Sequence, residues 1–309
     1  MILRPFDPWK SPLCTCPSKL SLNPYTGCPH GCLYCYASSY IPRFQECRPK
    51  ADLLKRLRRE AAKIKPGTLV AMSNSSDPYP PAERDLRFCR GCLEILKERG
   101  LQVQLVTKSG LVAEDADLLS SMAATVAITI TTLKDCLSEQ LEPGAPLPER
   151  RLDAMRILNE NGIPVSARID PIIPGINDSE IRDLVSAACL AGAQHITSST
   201  YKARQDSLRR ICRAFPEKGG ALKALFQRGG RTAGSLYLPV ETRRELMREV
   251  EQKALQEGVT FSSCREGLAL KTGINCDGSH LLSCKNHNDF AHNSGICRIK
   301  HQHIDERSM

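Results

Sequence analysis

The chain has no long hydrophobic run. Nowhere in its 309 residues does an apolar stretch approach the roughly twenty residues that span a bilayer, so no membrane partner is expected. The amino-terminal run MILRPFDPWKSPL lacks both an apolar core and a small-residue cleavage site, so it does not read as a secretory leader. No internal repeat marks a solenoid or an array. A cytoplasmic location is the resulting expectation. In that compartment disulfides are seldom kept, and the fifteen cysteines are odd in number and gathered toward both chain ends. That distribution favours metal or cluster ligation over a disulfide framework.

The length is enough for one large α/β domain and an appendage, and 41% hydrophobic with 25% charged residues is ordinary for a globular chain. The net charge is +9 and unevenly spread. Residues 43–65 carry nine Lys/Arg against three Asp/Glu, and residues 202–231 carry nine against two. Such patches attract nucleic-acid backbones, although a solvated helix face gives the same composition.

β-branched runs alternate with helical patterns through the middle of the chain. Strands are expected at Lys19–Tyr25, Thr68–Ser73, Gln102–Lys108, Thr125–Thr131, Pro164–Asp170 and His195–Tyr201. Helices are expected over 50–65, with Leu53, Leu54, Leu57, Ala61 and Ile64 on one face, and over 83–99, with Leu86, Cys89, Leu93 and Leu96 buried. Others should fill 114–122, 149–161, 179–191, 202–214 and 241–257. Repeated strand–helix alternation implies parallel strands with right-handed crossovers, hence an α/β fold with an open or partial (β/α)6 barrel. The expected division is an N-terminal Cys-containing segment (1–18), the barrel (19–258) and a Cys/His-rich C-terminal extension (259–309), in which Val259–Phe261 reads as one more strand.

Directly after the first strand lies Gly27-Cys28-Pro29-His30-Gly31-Cys32-Leu33-Tyr34-Cys35-Tyr36. Its C-x3-C-x2-C spacing lets one loop wrap three thiolates around three irons of a [4Fe–4S] cube and leave the fourth iron open. Three cysteines also suit a zinc with an open position, or simple packing. Loops at the carboxyl ends of parallel strands build active sites, and the following strand ends carry Ser75-Ser76-Asp77, Thr107-Lys108-Ser109, Thr129 and Arg168-Ile169-Asp170. An amino acid head group requires an anion for its ammonium, which Asp77 offers, and a cation for its carboxylate, which Lys108 or Arg168 offers.

The cysteine loop, with Tyr34 before its last cysteine, resembles the cluster loop of the radical S-adenosylmethionine (SAM) superfamily. Asn23-Pro24-Tyr25-Thr26-Gly27-Cys28, the Tyr34/Tyr36 pair, Ser75-Ser76-Asp77 and Val106-Thr107-Lys108 look like its spore photoproduct lyase branch, and Ala167–Gly175 like the widespread uncharacterised members of that branch. The resemblance spans roughly residues 5–280 through separate motifs. It implies that Cys28, Cys32 and Cys35 bind a [4Fe–4S] cluster and that Tyr34 packs near the adenine of SAM. Ser76, Asp77, Lys108 and Thr129 would hold the methionyl and ribose parts. It further implies reductive cleavage of SAM to a 5′-deoxyadenosyl radical, hydrogen abstraction from substrate, and an electron donor such as ferredoxin or flavodoxin. Tyr36 matches a tyrosine that relays hydrogen in the lyases. Where those enzymes carry a cysteine hydrogen donor, this chain has Asn74 or at most Ser75, which argues against repair of the thymine dimer.

The remaining cysteines divide. Cys89 and Cys92 fall on or beside the apolar stripe of a helix, and Cys47, Cys136, Cys189 and Cys212 are isolated; all six read as small buried residues. Cys14, Cys16, Cys264 and Cys276 make four, enough for a second cluster or a structural zinc if the fold joins both chain ends. A rival set is Cys284, His287, His292 and Cys297, in a tail that also holds Cys264, Cys276, His280, His301 and His303; its spacing copies a zinc knuckle with one His for Cys. Two alternatives to a nucleic-acid-directed enzyme stand beside it: a radical SAM enzyme modifying a protein or peptide, and a non-catalytic metal-binding nucleic-acid module.

Overall fold

Seven strands run parallel and pair in chain order across one sheet of the protein, here a computed structural model that describes residues 1–6, 11–72, 75–268 and 274–286. They are β1 Leu20–Leu22, β2 Leu69–Met72, β3 Gln102–Thr107, β4 Ala124–Thr129, β5 Val165–Ile172, β6 His195–Thr200 and β7 Thr260–Ser263. Arg4–Pro5 adds an antiparallel edge against β1. The order is linear, so the two edges are left unpaired with each other and the barrel is open. Helices return the chain between strands, as the expected alternation requires. Among the described residues no helix is long and apolar enough to cross a membrane.

Strand alternation sorts the two faces. Val103, Leu105, Val126, Ile128, Val165, Ala167 and Ile196 enter the main apolar core with the helices. The intervening Gln104, Thr125, Ser166 and Thr197 are buried too, but polar. Their face meets residues 274–282, which turn back from β7. Thr197 Oγ1 donates to the Cys276 carbonyl at 2.7 Å. Lys19 pairs with Asp277 and donates to Gln104 Oε1 at 3.0 Å, and the Gln104 amide donates to the Asp277 carbonyl. His195 meets His280 edge to face, centroids 4.7 Å apart. The returning segment thus satisfies polar groups that would be costly to bury alone.

Four expectations change. Residues 83–99 are two helices, Glu83–Leu86 and Phe88–Glu98, separated by Arg87 at φ +48°. That left-handed residue resets the phase, so Leu86 is exposed while Cys89, Leu93 and Leu96 stay buried. The helix expected over 50–65 is confined to Leu53–Ala61. The first strand ends at Leu22, and Tyr25–Thr26 leave the sheet to pair with Arg48–Pro49. Helices Asp135–Leu141 and Pro216–Arg228 and the hairpin Gly230–Thr232/Ser235–Tyr237 were not anticipated. The set Cys284, His287, His292 and Cys297, with His301, His303, Ser73 and Asn74, lies outside the residues whose side chains are described.

Candidate active site

The cysteine loop is built by its neighbours. Gly27 sits at φ +83°, and a Cβ there would stand 2.2 Å from the Glu46 carbonyl oxygen, so only glycine lets the chain enter the loop. Backbone bonds then pin it: Cys28 N–H to Phe44 O at 2.6 Å, Leu33 N–H to Leu141 O at 2.9 Å, and Gly144 N–H to His30 O at 2.9 Å. Arg210 completes the clamp. Its guanidinium donates to the Leu33 and Cys35 carbonyls, both at 3.0 Å, and is itself held by Asp206 at 2.8 Å. Part of the basic segment 202–231 therefore serves the loop instead of standing free for a polyanion.

Cys28 is buried, and Cys32 and Cys35 are half-buried. Burial, reinforced by the Asp77 charge, pushes the Cys28 thiol up to about 12, and burial raises Cys32 and Cys35 as well. Ligands to this loop must displace protons, so loading should weaken in acid. All three thiols open on a cavity of about 530 Å³.

Tyr34, Tyr36, Ser76, Asp77, Lys108, Thr129 and Arg168 line that same cavity. Each has an internal partner. The Asp77 carboxylate accepts from Thr107 Oγ1 at 2.6 Å, Lys108 N–H at 2.8 Å and Tyr79 N–H at 3.0 Å, with His30 Nδ1 at 3.7 Å. It therefore ties the loop after β2 to the end of β3. Ser76 Oγ donates to the Tyr25 carbonyl at 2.9 Å, and the Thr129 carbonyl accepts from Arg151 at 3.1 Å. Tyr36 stacks on Tyr40, centroids 6.4 Å apart, and burial pushes its phenol up to about 12. Arg168 pairs with Asp170 at 2.6 Å, and Asp170 also accepts from Ser199 Oγ at 2.6 Å.

One centre was missed. Glu142 lies fully buried behind the cysteine loop, paired with Arg151 at 2.5 Å, accepting from the Tyr34 hydroxyl and from Thr131 Oγ1 at 2.9 Å, and 4.0 Å from Lys108 Nζ. Burial works against its ionisation, but the Arg151 and Lys108 cations outweigh this and hold its carboxyl below the usual range. Lys108, which also sits 5.6 Å from the Tyr34 ring centroid, is in turn kept charged against burial by Glu142. Nothing in the spacing of Glu142 and Arg151 distinguishes them from surface charges; a Lys at a strand end with no local acid was the one available hint.

Residues 22–188 match the family model described as the Radical SAM superfamily. The chain belongs to the radical SAM superfamily. An uncharacterized protein of Methanocaldococcus jannaschii is 33% identical over 184 residues, covering 57% of this chain and 68% of its own. A radical SAM Nalpha-GlyT isomerase of Pseudomonas phage M6 is 24% identical over 256 residues, 79% of this chain and 53% of that one. Among solved structures, a spore photoproduct lyase variant with bound AdoMet and dinucleoside spore photoproduct superposes with a TM-score of 0.61 at 15% identity, over 82% of this chain and 79% of that one. The fold is the radical SAM fold, and the protein is an enzyme, not a non-catalytic binding module.

Membership implies a [4Fe–4S] cluster and SAM, and this radical SAM chain has a donor set that fits them. Among the described residues no three His, Cys, Asp or Glu side chains converge to hold a single metal ion. A cube spreads three thiolates over three irons and needs no such convergence. The remaining cysteines behave less uniformly than expected. Cys89 and Cys92 are fully buried, with Cys89 Sγ 2.8 Å from the Pro78 carbonyl. Cys47, Cys189 and Cys212 are half-buried, whereas Cys136 is exposed in the first turn of Asp135–Leu141.

Proposed function

We propose that this enzyme cleaves SAM reductively and uses the resulting 5′-deoxyadenosyl radical to take a hydrogen atom from a nucleic-acid or nucleoside substrate. The observation that carries the reading is the convergence of the cysteine loop and four successive strand ends on one cavity. Cys28, Cys32 and Cys35 would hold the cluster, which when bound supplies one electron to the sulfonium of SAM. Asp77 would meet the ammonium of SAM, and Lys108 its carboxylate; both line the cavity. For that, Lys108 must share its charge between Glu142 and the ligand, and the Arg151 guanidinium leaves it free to do so. Tyr34, fixed through its hydroxyl to Glu142, offers its ring to the adenine; Ser76 and Thr129 offer hydroxyls to the methionyl and ribose parts. Burial of the loop, and of the plug that residues 274–282 form against the polar face of the sheet, would exclude water from a radical.

The substrate class draws support from the dinucleoside held by spore photoproduct lyase, which is similar in fold over most of this chain. Spore photoproduct itself is not the proposed substrate, because Asn74 and Ser75 give up a hydrogen atom far less readily than a thiol. Tyr36, between the loop and Arg168, is the proposed hydrogen relay. A ferredoxin- or flavodoxin-class donor would supply the electron. Anaerobic iron–sulfur reconstitution followed by reduction with SAM tests the reading: 5′-deoxyadenosine should form, and its absence from a well-loaded sample overturns the proposal. Salt-dependent binding of single-stranded DNA or RNA tests the substrate class separately.

A further inference from the structure

Four cysteines from opposite ends of the chain meet beside the cavity. Cys16 Sγ and Cys276 Sγ are 3.5 Å apart. Cys264 Sγ lies within hydrogen-bonding reach of Cys276 Sγ, and Cys14 Sγ of Cys16 Sγ. Cys16, Cys264 and Cys276 line the cavity, Cys276 is 3% exposed, and all four are free thiols.

Their backbone positions are set by the sheet. Cys264 directly follows β7 at one edge, its N–H donating to Ser198 O at 2.8 Å. Cys16 leads into β1 near the other edge. Cys276 is carried on the plug, where Thr197 Oγ1 holds its carbonyl at 2.7 Å and the adjoining Asp277 pairs with Lys19. The string of thiols therefore runs across the gap that the open barrel leaves.

We propose that Cys14, Cys16, Cys264 and Cys276 ligate a second iron–sulfur centre, which clasps the two edges of the barrel and forms part of the cavity wall. Four thiols are the full ligand count of a two-iron core, which takes two on each iron, and Cys14 with Cys16 and Cys264 with Cys276 supply two such close pairs. A structural zinc gathers four sulfurs around one point, yet no three donors among the described residues do so. The surroundings suit a negatively charged core: Arg168 faces Cys264 and Cys276, and Lys19 faces Cys16.

The test removes the other centre. The full-length variant Cys28→Ala/Cys32→Ala/Cys35→Ala is reconstituted anaerobically with iron and sulfide and desalted. It should retain iron and acid-labile sulfide, with visible absorption and an electron paramagnetic resonance signal on reduction, neither of them altered by SAM. Adding Cys264→Ser and Cys276→Ser should remove that iron. Wild-type protein provides the check should the triple variant fail to fold: it should bind more than the roughly four irons that one cube accounts for, and Cys264→Ser/Cys276→Ser should lower the count while leaving the SAM-responsive signal. Zinc in place of iron, a Cys16–Cys276 disulfide with no iron, or four irons per wild-type chain unaffected by the Ser pair would each overturn the proposal. Absence of SAM cleavage with the second centre loaded would instead count against the proposed reaction alone.

Discussion

The two thiol-bearing walls of the cavity are built in opposite ways. Cys28, Cys32 and Cys35 sit on one short loop whose ligand spacing is local, and Phe44, Leu141, Gly144 and Arg210 clamp its backbone N–H and C=O groups. Cys14, Cys16, Cys264 and Cys276 have no shared loop and meet only because β1 and β7 approach through the plug. A local set keeps its geometry if the barrel loosens at its edges. A long-range set does not, and its integrity reports on the tertiary fold.

The sharpest way to break this comparison is to remove single thiols. Cys28→Ala, Cys32→Ala or Cys35→Ala should each reduce 5′-deoxyadenosine formation to background, whereas Cys89→Ala should leave the SAM-responsive cluster intact and cost only stability. An essential Cys89 beside a dispensable triplet would show the cluster to be misplaced.

Next in size are the groups aimed at SAM. Asp77→Asn and Lys108→Ala should each weaken SAM binding by about 1–3 kcal/mol, the range for a lost charge-assisted hydrogen bond, with cluster content unchanged. Calorimetric titration of the reconstituted protein reads this directly. Equal affinity in both variants would place the methionyl group elsewhere.

Arg210→Ala probes the clamp. Two guanidinium–carbonyl bonds disappear, so unfolding of the apo protein should shift by about 1–2 kcal/mol, and the cluster should be lost faster to a chelator. Arg210→Lys should recover only part, because an ammonium cannot reach both carbonyls with a planar fork. An unchanged rate of cluster loss in Arg210→Ala would mean that the backbone bonds alone fix the loop.

A last effect, spread over several pH units, concerns the plug. Burial, helped by His280, depresses His195 from 6.5 to about 3. The unfolded chain therefore takes up this proton first: stability from the neutral ring is whole above pH 6.5 and is lost as pH falls toward 3, at about 1 kcal/mol per pH unit. Chemical denaturation of the apo protein across that window should show the slope, and His195→Gln should flatten it. A wild-type slope of opposite sign would mean that the ring is charged in the folded state.

Much of the core architecture was legible because it rests on short-range pattern. Gln102–Lys108 and His195–Tyr201 each overran the observed strand by one residue, since β-branched runs state their own conformation. The spacing of Cys28, Cys32 and Cys35 likewise identified a loop chemistry without any knowledge of the sheet. The break at Arg87 was not legible, because a non-glycine residue at positive φ leaves no compositional mark. Nor was the pairing of Lys108 with Glu142, whose partners lie on different elements.

Sequence alone determined the strand–helix alternation, the cysteine loop and the polar strand ends, all of which depend on neighbours within a few residues. Only the tertiary structure decided which charges are spent inside the protein, as Arg210 on the loop and Arg151 on Glu142, and that residues 274–282 fill the polar face of the sheet. It alone brought Cys16 to Cys276. The physical reason is the same in each case: spacing along the chain fixes periodicity and ligand reach within one element, whereas burial and long-range pairing depend on which elements the closed core places side by side.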